Sequence, residues 1–171
     1  MEPDKWYHRN YWLGGVIMKK KIGLIMGIVL FIGVFLTITI VYNRGNGNQE
    51  ELEEEAANVG IIRVTDDNYE EEVLNTDKIV VMDFYENLCP PCTSMIPTII
   101  NISKSSDEVK VVMINMSEGN TSKLIKMYGV NASPTIIIVK DGEVKDGFVG
   151  ATSEENIMSV IRKQMENKNE E

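Results

Sequence analysis

The chain has 171 residues and a formal net charge of −9 at pH 7, and it contains two cysteines and one histidine. This length allows one domain with additional segments, and the negative charge argues against nucleic-acid binding. Two cysteines are too few for a disulfide-stapled scaffold. His8 lies far along the chain from both cysteines, so we expect no metal site.

The N-terminal segment, residues 1–21, is predicted to lie in the cytoplasm. Met18 opens a Met-Lys-Lys-Lys sequence followed by an apolar run, which is how a bacterial membrane-targeting segment normally begins. We therefore interpret Met18 as the true start and residues 1–17 as a mis-called extension. The alternative is a short interfacial segment anchored by its aromatic side chains, Trp6, Tyr7, Tyr11 and Trp12.

Residues 22–42 contain no charged side chain and are long enough to cross a bilayer as a helix. A cleaved signal peptide is the alternative, but its apolar region is usually about 7–15 residues and no A-x-A-like cleavage site follows this run. Three lysines precede the run and a glutamate-rich sequence follows it. The positive-inside rule therefore predicts a single-pass membrane helix, with the remainder of the chain outside the cytoplasm.

Residues 43–60 are predicted to form a flexible acidic linker. The first part is rich in glycine and asparagine, and the sequence Glu-Glu-Leu-Glu-Glu-Glu follows it. Such a composition is typical of a solvated spacer. We interpret the run Glu-Glu-Leu-Glu-Glu-Glu-Ala-Ala as transiently helical and as a solvated spacer rather than a binding site.

From residue 61 onward, strand-like and helix-like segments alternate in the order βαβαβαββα. The strands are predicted over 61–64, 78–85, 109–115, 135–140 and 143–149, and the helices over 66–75, 91–103, 121–128 and 153–164. Asp141-Gly142 joins the last two strands and is a strong hairpin signal. Parallel crossovers with a terminal antiparallel hairpin predict an α/β fold with a central mixed sheet flanked by helices.

The two cysteines, Cys89 and Cys92, lie in the sequence Cys-Pro-Pro-Cys between an apolar strand and a helix. Two thiols at the start of a helix can form a small-ring disulfide, and we expect the helix N-terminus to lower the pKa of the first thiol. This is the chemistry of thiol–disulfide exchange. A static structural disulfide is the alternative, and the position at a helix start argues against it.

Four segments within residues 61–167 resemble the thioredoxin family in their sequence, order and spacing. They are Ile61-Ile-Arg-Val-Thr-Asp-Asp-Asn-Tyr, Val81-Met-Asp-Phe-Tyr-Glu-Asn-Leu-Cys-Pro-Pro-Cys, Tyr128-Gly-Val-Asn-Ala-Ser-Pro-Thr, and Lys140-Asp-Gly-Glu-Val with Phe148-Val-Gly-Ala. The resemblance implies a thioredoxin fold over this range, with residues 168–171 as a tail. It also implies that the protein uses its own redox-active disulfide and no cofactor.

The resemblance also implies roles for individual residues. Cys89 corresponds to the nucleophile, Cys92 to the resolving thiol that closes the Cys89–Cys92 disulfide, and Asp83 to a buried acid that relays a proton. The substrate-binding positions are Leu88, Ser133, Pro134 and Gly150, with a cis peptide bond before the proline. The alternatives are a strand-end aspartate that only bonds to the backbone, and an ordinary trans turn.

The chain departs from the family pattern around this site. Leu88 and Tyr85 stand where the family usually has tryptophan, and Met113 stands where it usually has a lysine beside the buried acid. Loss of that lysine should raise the pKa of Asp83. The motif interior is Pro-Pro rather than Gly-Pro and has no histidine, so we expect a reducing rather than a strongly oxidising potential.

These features predict a thiol–disulfide oxidoreductase anchored in the cell membrane, of a type found in Gram-positive bacteria. It would contact the lipid bilayer through residues 22–42, reduce disulfide-bearing extracytoplasmic proteins, and receive electrons from a membrane electron carrier. Two alternatives remain open at this point. One is an oxidant that installs disulfides in envelope proteins, and the other is a non-enzymatic binding module.

Overall fold

A computed structural model of the chain describes residues 26–40 and 49–168. Residues 26–40 form helix α1, which belongs to a different compact unit from residues 45–171. Among the helices of the described ranges, none is both long and apolar enough to cross a membrane. Both ends of the predicted span 22–42 lie outside those ranges, as do Met18 and most of the predicted tail.

The second unit is built on a five-stranded mixed sheet with strand order β1-β3-β2-β4-β5. The strands are β1 (Ile62–Arg63), β2 (Ile79–Tyr85), β3 (Val109–Asn115), β4 (Thr135–Lys140) and β5 (Glu143–Val149). Strands β1, β3 and β2 are parallel, whereas β4 and β5 run antiparallel to their neighbours. This is the α/β arrangement that the sequence predicted.

The described residues of this unit form four α-helices: α2 (residues 49–58), α3 (Pro90–Ser103), α4 (Ser122–Tyr128) and α5 (Glu154–Lys168). A 3-10 turn, Gly119–Thr121, precedes α4. Helices α3 and α5 contribute their apolar faces to a core cluster on one side of the sheet. Helix α4 contributes Leu124 to a second cluster on the opposite side. The sheet is therefore covered on both faces.

Strand β2 lies at the centre, and all of its side chains are buried. Its residues alternate between the two clusters, since Val81 and Tyr85 belong to the α3 side and Met82 and Phe84 to the α4 side. Successive side chains of a strand point to opposite faces. Asp83 therefore points to the α3 side of the sheet.

The predicted helix over residues 66–75 is only partly present, because it begins three residues later than predicted and is mainly π-helical. The structure has a turn there, followed by a short π-helical segment, Glu70–Leu74. The Asp66 carboxylate accepts hydrogen bonds from the backbone N–H groups of Lys123 and Leu124, at 3.2 and 3.1 Å. Asp66, which precedes the local helical segment and could have capped it, thus binds the first turn of α4 instead.

The acidic run was predicted to be a solvated spacer, and this is wrong for residues 49–58. They form helix α2, in which Ala56 is fully buried in the core and Leu52 packs against the same cluster. Gln49 and Glu53 complete this inward face at helical spacing. The exposed glutamates occupy the other faces: Glu50, Glu51, Glu54 and Glu55.

The docking of α2 predicts different effects for two adjacent alanines. Ala56 is buried, whereas its neighbour Ala57 is exposed. An aspartate at position 56 would place an unpaired carboxylate in the core, so Ala56→Asp should lower the free energy of unfolding by about 3 kcal/mol or release α2 from the domain. Ala57→Asp should change it by less than about 0.5 kcal/mol. Urea denaturation and hydrogen exchange of residues 49–58 measure both outcomes, and equal effects of the two variants would contradict the docking.

Candidate active site

The dithiol lies at the start of α3, just beyond the end of the buried strand β2. Cys89 is the N-cap residue of α3, and its sulfur accepts a hydrogen bond from the backbone N–H of Cys92 at 3.2 Å. Pro90 and Pro91 occupy the first two helical positions, where the missing N–H groups would have no helical partner. The sequence Cys-Pro-Pro-Cys therefore favours a helix start that holds the two sulfurs together.

The two cysteines are joined by a disulfide and differ in their access to solvent. The S–S distance is 2.04 Å, so the structure represents the oxidised state. Cys92 is only 1% exposed, whereas Cys89 is half-buried. A substrate can therefore approach the Cys89 sulfur, while the Cys92 sulfur lies inside the protein.

Asp83 is fully buried on the side of the sheet that also carries Cys92. Neither of its carboxylate oxygens has a hydrogen-bond partner among the described residues, which contradicts the alternative of an aspartate bonded to the backbone. Its neighbour on β3 is Met113, so no cation offsets the burial at this position. Desolvation, with a smaller effect from the charge of Glu53, raises the pKa of Asp83 to about 7.

The loop before β4 reaches the dithiol from the other side. The Ser133–Pro134 peptide bond is cis. The Ser133 hydroxyl lies 3.8 Å from the Cys89 sulfur and donates a hydrogen bond to the Glu86 carboxylate at 2.8 Å. The structure thus brings Ser133 and Cys89 together although 44 positions separate them in the sequence.

The other two predicted substrate-binding residues flank this loop and the dithiol. Gly150 has φ of +85° and donates its N–H to the Pro134 carbonyl at 2.8 Å, with no atom within 4 Å of where a Cβ would stand. A side chain at this position would be strained by the backbone conformation. Leu88 has φ of 56° and is 50% exposed directly before the nucleophile.

Glu53 of α2 is a part of the site that sequence reasoning missed. Its carboxylate accepts hydrogen bonds from the Tyr85 hydroxyl at 3.2 Å and from the Gln49 side chain at 2.9 Å, and it forms an ion pair with Arg63. Gln49 also donates to the Glu86 carbonyl at 3.2 Å. These bonds connect α2 to the end of β2, where the dithiol loop begins.

Burial and the neighbouring Glu53 carboxylate also raise the pKa of Tyr85, so this hydroxyl remains a hydrogen-bond donor. The spacing of Gln49, Leu52, Glu53 and Ala56 was the sequence signal that this helix has an inward face. It was weak because two of the four inward residues are polar.

The buried carboxyl predicts a specific dependence of stability on pH. The pKa of Asp83 is higher in the folded state than in the unfolded state, so the folded protein binds one more proton between about pH 4 and pH 7. The free energy of unfolding should therefore fall across this window, by about 4 kcal/mol from this group. Asp83→Asn should remove this decrease in the free energy of unfolding. The difference in free energy of unfolding between the variant and the native protein should therefore grow in favour of the variant from about pH 4 to about pH 7 and stay constant above that pH.

Urea denaturation of the oxidised protein at pH 5 and at pH 8 measures this difference. The exposed Asp67 offers a control, because Asp67→Asn removes the same formal charge without a buried carboxyl. Parallel pH dependence in the native protein and in Asp83→Asn would contradict the assignment.

Known proteins match this part of the chain. The sequence profile of the family named Thioredoxin matches residues 60–163. Thioredoxin from Rickettsia typhi is 39% identical over 103 residues, which cover 60% of this chain and 96% of the relative. Thioredoxin 1 from Synechococcus elongatus is 34% identical over 103 residues, covering 60% of this chain and 94% of the relative.

A solved structure shows the same fold. A mutant thioredoxin from Halobacterium salinarum NRC-1 superimposes with a TM-score of 0.54 at 23% identity, covering 60% of this chain and 88% of that one. The family match contains all five strands and the dithiol, and leaves α1 and α2 outside it. Thioredoxins act through their own redox-active disulfide without a cofactor. The chain therefore belongs to the thioredoxin family and is a thiol–disulfide oxidoreductase.

Proposed function

We propose that this protein is anchored in the cell membrane and reduces the disulfides of extracytoplasmic proteins. The observation that carries the redox part is the unequal burial of the two sulfurs, with Cys89 open to a substrate and Cys92 buried beside it. Such an arrangement separates attack on a substrate from resolution of the product.

The proposed reaction begins with the reduced dithiol. The Cys89 thiolate attacks one sulfur of the substrate disulfide, which forms a mixed disulfide and releases the other substrate sulfur as a thiolate. The Cys92 thiol then loses its proton and attacks the Cys89 sulfur, which releases the second substrate thiol. Two electrons have passed to the substrate, and the protein is left with the Cys89–Cys92 disulfide that the structure contains.

Asp83 is the proposed acceptor of the Cys92 proton. It lies buried on the same side of the sheet and has a pKa of about 7, so it can hold either protonation state near neutral pH. A base is needed because a buried thiol resists ionisation. A group with a pKa close to the working pH is well suited to pass a proton on.

The substrate backbone is proposed to lie along Ser133, Pro134 and Gly150. The Ser133 hydroxyl lies 3.8 Å from the Cys89 sulfur, and there is open space where a Cβ of residue 150 would stand. An extended substrate segment can bind backbone groups there as an added strand does.

Membrane anchoring is supported by the apolar run at residues 22–42 and by the lysines before it. The described part, α1, carries exposed apolar side chains on all its faces, including Leu30, Phe31 and Phe35. Such a surface suits lipid rather than water. The basic flank favours a cytoplasmic N-terminus, with the thioredoxin-family domain outside and a membrane electron carrier as its reductant. This order of segments resembles anchored proteins of Gram-positive bacteria.

Asp83→Asn is expected to slow the resolving step and to spare the first attack. The reduced protein should release the first thionitrobenzoate from Ellman's reagent at a rate close to the native one, because Cys89 does not use this base. Release of the second, which requires Cys92, should be slower by about 100-fold at pH 7. Stopped-flow absorbance separates the two phases, with Asp67→Asn as the control. Equal second phases in both variants would refute the proton-acceptor role.

One labelling experiment can test both the side of the membrane on which the domain lies and the redox state of its dithiol. Any thiol label must fall on Cys89 or Cys92, because the sequence contains no other cysteine. Intact cells that make the protein are treated with a membrane-impermeant maleimide, without prior reduction. We expect Cys89 to be labelled, since the proposed enzyme is kept reduced outside the membrane. A variant with both cysteines changed to serine controls for background labelling.

Each other outcome of this labelling rejects one part of the proposal. Labelling only after cell lysis would place the domain inside the cell and reject the extracytoplasmic location. Labelling of intact cells only after dithiothreitol treatment would show a protein kept oxidised, and it would favour an oxidant that installs disulfides.

A further inference from the structure

A surface groove runs beside the nucleophile, between α2 and the start of α3. It has a volume of about 740 Å³, and Cys89 itself forms part of its wall. Its apolar surface comes from Leu52 of α2 and from Leu88, Pro90 and Pro97 on the opposite side. Any substrate whose disulfide reaches Cys89 must place neighbouring residues against the surfaces that surround this sulfur.

The α2 wall of the groove carries two carboxylates. Glu51 and Glu55 lie one helical turn apart, are exposed, and both line the groove. Within the described part of the chain, neither side-chain carboxylate forms an ion pair or a hydrogen bond, and no lysine or arginine lines the groove with them. Among the residues that the structure describes, the wall is therefore negative and has no counter-charge.

This wall is an addition to the family domain. The thioredoxin profile begins at residue 60, whereas α2 comprises residues 49–58. The helix is nevertheless held in place, by the buried Ala56 and by the hydrogen bonds of Glu53 and Gln49 to the end of β2. The groove is thus a fixed surface, formed partly by the family domain and partly by a segment outside it.

We propose that this groove selects substrates, by binding the segment next to the reactive cysteine when that segment carries an apolar side chain together with lysine or arginine. The proposal rests on the proposed disulfide reductase activity. The apolar side chain packs among Leu52, Leu88 and Pro97, and the cation pairs with Glu51 and Glu55. Cys89 lines the same groove, so both interactions can form while its sulfur attacks the substrate disulfide.

The test uses the full-length protein in detergent micelles and two synthetic peptides with one internal disulfide. The peptides have the same leucine beside one cysteine and differ only in three flanking residues, which are lysine in one and glutamate in the other. Dithiothreitol supplies the two electrons for each turnover. At low ionic strength we expect kcat/KM to be about 10-fold higher for the lysine peptide, and the ratio to approach 1 at high salt.

Two double variants with the same change of net charge locate the effect. Glu51→Gln with Glu55→Gln removes the groove carboxylates and should reduce the preference for the lysine peptide to about 2-fold. Glu50→Gln with Glu54→Gln removes two exposed charges of α2 that do not line the groove, and it should leave the preference close to that of the native protein.

The outcomes distinguish the groove from the activity on which it depends. If neither peptide is reduced faster than by dithiothreitol alone, the reductase activity fails. If both are reduced at equal rates by the native protein, the activity stands and selection by the groove is rejected. If both double variants lose the preference equally, the net charge of the protein steers the peptides and the groove is again rejected.

Discussion

The complete burial of β2 is the constraint on which the rest of this domain depends. A strand with both faces covered must place every second side chain in each of two cores, and this alternation assigns Asp83 to the side of Cys92. The same strand ends at Tyr85, so the dithiol loop leaves from a strand that is buried along its whole length. Chemistry that requires two sulfurs and a carboxyl group in fixed positions is thereby built on packed backbone rather than on a mobile loop.

Much of this arrangement could be predicted from local patterns. The apolar runs at 79–85 and 109–115 and the hairpin around Asp141-Gly142 have almost the predicted bounds, because burial on both faces and a two-residue turn leave direct signatures in the sequence. The dithiol was equally visible, since two cysteines at a helix start have few other uses. The placement of Ser133 beside Cys89 came from the family resemblance alone, because no local rule relates residues so far apart.

The two errors have the same physical cause. Side chains that resemble local sequence signals form tertiary contacts with residues far away in the sequence. Asp66 does cap a helix, but the helix is α4 rather than the one that follows it in sequence. The acidic run has the composition of a spacer, yet Ala56 and Leu52 give it a narrow inward face. Four exposed glutamates outside that face dominate the composition of the segment. The composition therefore reflected the solvent-exposed surface of the helix and gave no indication of its packing. Tertiary contacts decided both segments.

The reactive sulfur of Cys89 is also the N-cap of α3, and this affects how variants at the position can be interpreted. Serine is among the preferred N-cap residues, whereas alanine at such a position costs a helix about 0.5–2 kcal/mol. Cys89→Ser therefore removes the nucleophile and keeps an acceptor for the Cys92 N–H group. Cys89→Ala removes both, so a loss of activity in that variant would combine missing chemistry with a weakened helix start, and the serine variant is the one that isolates the chemistry.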